Sequence, residues 1–164
     1  MRQSRLSLSR KLETAITIVV VIVAIIAGLA ALGGRSSSSS SIVLAPSGYV
    51  FSLSPGYYYY IKFTTPSDAT DIFINGSYVS NNNVEVLILT PVEFGAFTQN
   101  PGGVISSGDY VWYSGDNTGA TLNATLAPGQ TYYLVFFNDN LMSNATDTIE
   151  VVLSITVWGY PTGG

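Results

Sequence analysis

The sequence predicts an antiparallel β-sandwich or jelly roll preceded by one transmembrane α-helix. Three observations carry that prediction. Residues 14–34 hold no charged side chain and are almost wholly aliphatic or small. Residues 36–41 are six consecutive serines. From Ile42 onward the chain is rich in Tyr, Val, Ile, Thr and Phe, punctuated by Gly, Pro, Asn and Ser clusters, which is the composition of short strands and turns. The expected organisation is a basic cytoplasmic leader (1–13), a transmembrane helix (14–34), a Ser-rich linker (35–41) and an extracellular β-sandwich domain (42–164).

The apolar segment is the first element. As a helix its 21 residues span roughly 31 Å, close to the ~30 Å hydrocarbon core of a bilayer. β-Branched residues are poor helix formers in water, but in lipid the backbone must satisfy its own hydrogen bonds and helix is favoured. The charges give the orientation. Residues 1–35 contain Arg2, Arg5, Arg10, Lys11 and Arg35 against Glu13, a net +4, whereas residues 36–164 contain Lys62 against nine acids, a net −8. The positive-inside rule puts the N-terminus in the cytoplasm and the C-terminal domain outside, in a single-pass cell-membrane topology.

Three fates of the segment remain open. It stays as a signal anchor; it is cleaved as a signal peptide at small-x-small sites such as Ala31-Leu32-Gly33; or it is processed just before the helix. The apolar run exceeds the ~7–15 residues of an ordinary signal h-region, which weighs against the second. The third rests on a resemblance. The leader Ser9-Arg10-Lys11-Leu12-Glu13-Thr14, running straight into a Val/Ile/Ala-rich helix, resembles the class III signal segments of archaeal pilins and surface-binding proteins. The resemblance implies a cut before the helix and a helix kept on the mature protein. That family prefers Gly or Ala before the cut, where this chain has Arg10-Lys11-Leu12.

The serine tract buries nothing and reads as a flexible spacer, or as a stalk for O-linked sugars. In the domain beyond it, Ile149, Val151, Leu153, Ile155 and Val157 alternate with mostly polar residues, the pattern of a strand with one face on a core. Val84, Val86 and Ile88 alternate with Glu85, Leu87 and Leu89, which suggests a more buried strand. Asp71 to Asn75 and Tyr110 to Tyr113 are shorter strands. About eight short strands are expected, with no helix in the domain.

An internal repeat adds detail. Residues 53–63 match residues 126–136 at an offset of 73, in the pattern L-x-P-G-x-x-Y-Y-[I/L]-x-F. Pro followed by Gly specifies a type II turn, because Pro fixes φ and Gly accepts a positive one. The following strands should turn Tyr59, Ile61 and Phe63, and Tyr132, Leu134 and Phe136, toward the core. The second copy, with Phe137, Asn138 and a terminal alternating strand, resembles secreted prokaryotic β-sandwich modules of the pre-peptidase C-terminal and GOLD-like types. That resemblance implies an accessory module for secretion, binding or assembly.

The chain has no Cys and no His, which excludes thiol catalysis, disulfides and His-based triads. One lysine in the domain excludes a nucleic-acid binder. The acids are scattered beside turn residues, with no paired-carboxylate pattern, so no enzymatic activity, catalytic residue or cofactor is expected. Asn138-Asp139-Asn140 and Asp68/Asp71 offer oxygen ligands for calcium, but surface Asx turns explain them more simply, and no metal site is assigned. Three sequons, at Asn75, Asn123 and Asn144, lie in the expected outer domain as N-glycosylation candidates. Tyr58, Tyr60 and Trp158 are candidate ligand-facing aromatics; Tyr58 and Tyr60 stand opposite the predicted core face.

The function expected is that of a membrane-anchored extracellular domain with a structural, display or assembly role, pilin-like filament subunits included. Its partners would be the membrane, through residues 14–34, and other copies or surface proteins. The alternative is a surface-held glycan- or ligand-binding module.

Overall fold

The computed structural model describes residues 40–103, 106, 108–139 and 149–161. The expected leader and transmembrane helix lie outside these residues. Among the described residues no helix is long and apolar enough to cross a membrane. The described residues form six strands and one helix: β1 (Ser40–Leu53), β2 (Tyr58–Thr64), β3 (Ala69–Leu89), α1 (Pro91–Gln99), β4 (Trp112–Leu126), β5 (Thr131–Phe137) and β6 (Ile149–Pro161). All pairings are antiparallel.

The architecture is mostly β, as expected, but the strands are fewer and longer. The two predicted strands around Asp71 and Val84 are one 21-residue strand, β3. The chain bends at Asn81-Asn82-Asn83 without reversing, since β4 pairs with β3 on both sides of the bend. The register slips between Val79 and Val84, and such irregularities let a strand change sheet direction. Before the bend β3 pairs with β6; after it, with β5. The sheet order β1-β6-β3-β5-β2, with β4 on the other edge of β3, therefore forks at β3 and curls over.

The two branches meet across one core. Phe51 of β1 packs 4.3 Å from Tyr59 and 5.2 Å from Phe136, ring to ring. Tyr78 meets Phe136 edge-on at 6.1 Å. Tyr59, Ile61, Phe63, Tyr132, Leu134 and Phe136 all lie in this core, facing as the repeat predicts. Tyr78 brings its hydroxyl into the core without a hydrogen bond of its own. The nearby Ser114 hydroxyl is engaged with Val86 N and Gly115 O. Removing an unpaired buried hydroxyl is nearly free. Tyr78→Phe is therefore expected to leave the unfolding midpoint unchanged or raise it, and a clear loss in chemical denaturation would contradict this.

The helix is a departure from the sequence expectation. Thr90 caps α1: its Oγ1 accepts from Glu93 N, while Glu93 Oε2 accepts from Thr90 N at 2.6 Å. Pro91 opens the first turn. This is a capping box with Pro at the first helical position. α1 covers the outer face of β2, β5 and the second half of β3, and a second, smaller core of Leu87, Leu89 and Val135 lies beneath it. Hence Val84, Val86 and Ile88 are buried on one side and Leu87 and Leu89 on the other.

The repeat is a local two-fold. β2 and β5 pair with Ile61 opposite Leu134, positions that the offset of 73 makes equivalent. The turns at Pro55-Gly56 and Pro128-Gly129 have positive φ at both glycines, 77° and 65°, as the type II reading requires. Each turn is clamped by the residue just past the other repeat's strand, and these residues, Thr65 and Asn138, are themselves equivalent. Thr65 N donates to Gln130 O at 2.9 Å and Asn138 N to Tyr57 O at 3.1 Å. The Thr65 hydroxyl donates to Ala127 O at 2.7 Å and accepts from Gln130 N at 3.0 Å. The Asn138 amide donates to Leu53 O at 3.1 Å. Asn138 is fully buried, which corrects its reading as a surface Asx residue.

Candidate interaction surface

The face of β1, β6, β3 and β4 that points away from the core is exposed. Its rows follow from the register. Ser41, Trp158, Phe73 and Thr125 form one; Val43, Thr156, Asn75 and Asn123 the next; then Ser154, Ser77 and Thr121; then Val50, Val152 and Val79. No side chain in these rows is charged. Six of the eight large exposed apolar residues among those described stand on this face: Val43, Val50, Val79, Val152, Trp158 and Tyr160. β-Branched and aromatic residues fit a pleated surface, and their exposure makes this face the candidate interaction surface.

The predicted site residues fall in different places. Asn75 and Asn123 are exposed and directly opposite each other on adjacent strands, a proximity that the sequence spacing does not reveal. Asn144 lies outside the described residues. Trp158 is 38% exposed on the outer face. Tyr58 and Tyr60 are on the face opposite the main core, as expected, but α1 covers them. Phe97 meets Tyr58 edge-on at 5.3 Å, Phe94 lies 4.9 Å from Tyr60, and Phe94 stacks on Tyr133 at 4.1 Å. Both tyrosines are half-buried against these rings, because aromatic residues on a sheet gain from cover and the short helix supplies part of it.

A cavity of about 410 Å³ lies between α1 and β3, lined by Leu87, Leu89, Val92, Ala96 and Phe97 together with Glu93 and Asp109. Both carboxylates are engaged with backbone: Glu93 caps the helix, and Asp109 accepts from Ser106 N at 2.8 Å. Among the described residues no group of three or more Asp or Glu is placed to hold a metal.

Two carboxylates with raised pKa values lie elsewhere, Glu85 and Asp139. Glu85 accepts from the Tyr113 hydroxyl at 2.6 Å. Burial pushes the Glu85 carboxyl above its ordinary range; the Tyr113 hydrogen bond opposes this, and Asp139 and Asp116 add to it. Burial, then Asp116, also raises Asp139. An acid with a raised native pKa stabilises the fold below its unfolded value, and that contribution is lost as pH rises through the native value. The unfolding midpoint of the detergent-solubilised chain is therefore expected to fall as pH rises from about 4.5 toward neutral. Glu85→Gln, which keeps an acceptor for Tyr113, should flatten that slope without abolishing it, because Asp139 shifts the same way. An unchanged slope would contradict the assignment.

No protein-family model matches the chain, and no curated protein matches it. Solved structures similar to it include the following three. One is PliG of Aeromonas hydrophila, a periplasmic inhibitor of g-type lysozyme, at 8% identity and TM-score 0.45, covering 77% of this chain and 92% of that one. Another is the pre-peptidase C-terminal domain of a Bacillus anthracis collagenase, at 16% and 0.37, covering 66% and 90%. The third is the CBM36-1 domain of a xylanase from the hindgut metagenome of Trinervitermes trinervoides, at 10% and 0.37, covering 77% and 98%. The likeness is one of β architecture, and the pre-peptidase type named from the repeat is among the similar structures.

Proposed function

We infer that this chain is a membrane-anchored surface protein whose β domain serves display or assembly. The carrying observation is the uncharged segment 14–34 with basic residues before it and a net −8 after it, which supports a single span with the domain outside. The uncharged rows from Ser41 to Val79 on the outer face of the sheet support contact with other proteins. No catalytic role is part of this reading. Asn75, Asn123 and Asn144 are its N-glycosylation candidates.

The test is the N-terminal residue of the mature protein by mass spectrometry, with alkaline carbonate extraction of membranes. An intact N-terminus, or a start at Leu12 or Glu13, is expected, with the chain retained in the membrane. A start between Ala31 and Gly34 would mean a released protein and would sink the reading. The finer version, a pilin-like subunit, requires surface filaments that vanish on deletion; a chain that stays monomeric and never polymerises is not a pilin. The exposed Trp158 favours a second reading as a glycan-binding module, which requires binding on a glycan array that Trp158→Ala abolishes.

A further inference from the structure

The chain enters the fold beside two exposed aromatics, Trp158 and Tyr160. Ser40 pairs with Gly159 and Ser41 with Trp158, so the strand leading back to the apolar segment lies one strand spacing from Trp158. Only residues 35–39 separate segment 14–34 from Ser40. Fully extended, five residues reach about 17 Å, so this end of the domain cannot move far from the place where the segment leaves the hydrocarbon. At that end stand Trp158, 38% exposed, and Tyr160, 49% exposed. Phe73 sits opposite Trp158 across the strand pair, with its ring 6.3 Å from that of Tyr160. β3 is bulged between Thr70 and Phe73, with Asp71 at φ 50°, which is how a strand end re-aims its side chains.

Resting on the anchoring reading above, we propose that Trp158 and Tyr160, with Phe73, form an interfacial anchor that seats this end of the β domain on the lipid headgroups. Trp and Tyr combine an apolar ring with a polar edge and favour the membrane–water interface. Asp68 and Asp71, both exposed, stand at the same end, so the surface suits zwitterionic headgroups and is repelled by anionic ones.

The full chain, carrying Trp112→Phe so that Trp158 is the sole tryptophan, is reconstituted in phosphatidylcholine vesicles with a shallow doxyl or bromine label. The label is expected to quench Trp158 about two-fold or more over a label at the chain ends. Substituting phosphatidylglycerol should weaken the quenching. Should Trp158 be unaffected by the shallow label and quenched by aqueous iodide, in protein that resists carbonate extraction, the interfacial anchor is overturned and the membrane span stands. If carbonate releases the chain, the span itself fails and the anchor with it.

Discussion

Replacing Asn138 by alanine is expected to destabilise the fold by about 2–4 kcal/mol, a large share of the roughly 5–15 kcal/mol that holds a domain together. The Asn138 side chain is fully buried and reaches across 85 residues of sequence to Leu53 O. Its backbone meanwhile receives Gly56 N at 2.8 Å and gives its own N–H to Tyr57 O. Alanine removes the amide donor to a carbonyl that no longer sees water, and it leaves a void. Asn138→Asp separates these contributions. Its carboxylate faces the Leu53 oxygen without a proton to offer, so at neutral pH the variant should be at least as unstable as the alanine one. Protonated, it regains a donor. Its native pKa must then lie above the unfolded value, so stability returns as pH falls below that native value. Acid should leave the alanine variant without that recovery. The equivalent clamp gives a parallel result. Thr65→Val keeps the shape but strips the hydroxyl from Ala127 O and Gln130 N, at a cost of about 1–3 kcal/mol. Chemical denaturation followed by near-UV circular dichroism reads all three; values within experimental error of the parent chain would show that the two-fold clamp holds nothing.

The repeat shows how far sequence reasoning reaches here. Its turns, the facing of its strands and the equivalence of its halves are written in L-x-P-G and the Tyr/Ile/Phe alternation. The clamp is not: the offset of 73 aligns Thr65 with Asn138, but one is a hydroxyl and the other an amide, and only the pairing of Ile61 with Leu134 brings each against the other repeat's turn. The helix is half legible. Thr90-Pro91-Val92-Glu93 is a start signal, but nine residues with Phe94 and Phe97 as their main apolar contacts make no helical stripe. Missing α1 left Tyr58 and Tyr60 looking exposed. The Asn81-Asn82-Asn83 run sits at a bend in a strand that continues beyond it. The neutral outer face emerges only from register, since its rows draw on four strands distant in sequence.

Gly76→Ala is expected to be the most damaging single-methyl change in the sheet, costing about 3 kcal/mol or more, at the upper end of overpacking effects. A Cβ at position 76 would stand 2.3 Å from Ser154 O and 2.8 Å from Ile155 Cα. Both are backbone atoms, so no rotamer change relieves the contact. β6 cannot retreat, because Leu153 and Ile155 are paired on its other edge with Tyr49 and Ala45 of β1. β3 cannot retreat either, because Gly76 is opposite Leu122 of β4. The strands must part where β3 joins the branch that carries the outer face, and the ladder from Asn75 to Ser77 should lose its amide-exchange protection first. The substitution keeps the Asn75 sequon, so any loss of glycan would report the altered fold and not a lost acceptor. Gly95 supplies the opposite sign. It lies within α1 with nothing within 4 Å of its Cβ position, so Gly95→Ala should stabilise the helix by roughly 0.5–1 kcal/mol through reduced unfolded-state entropy. If both alanines behaved alike in thermal unfolding, the close approach of β3 and β6 would not be the reason for glycine at position 76.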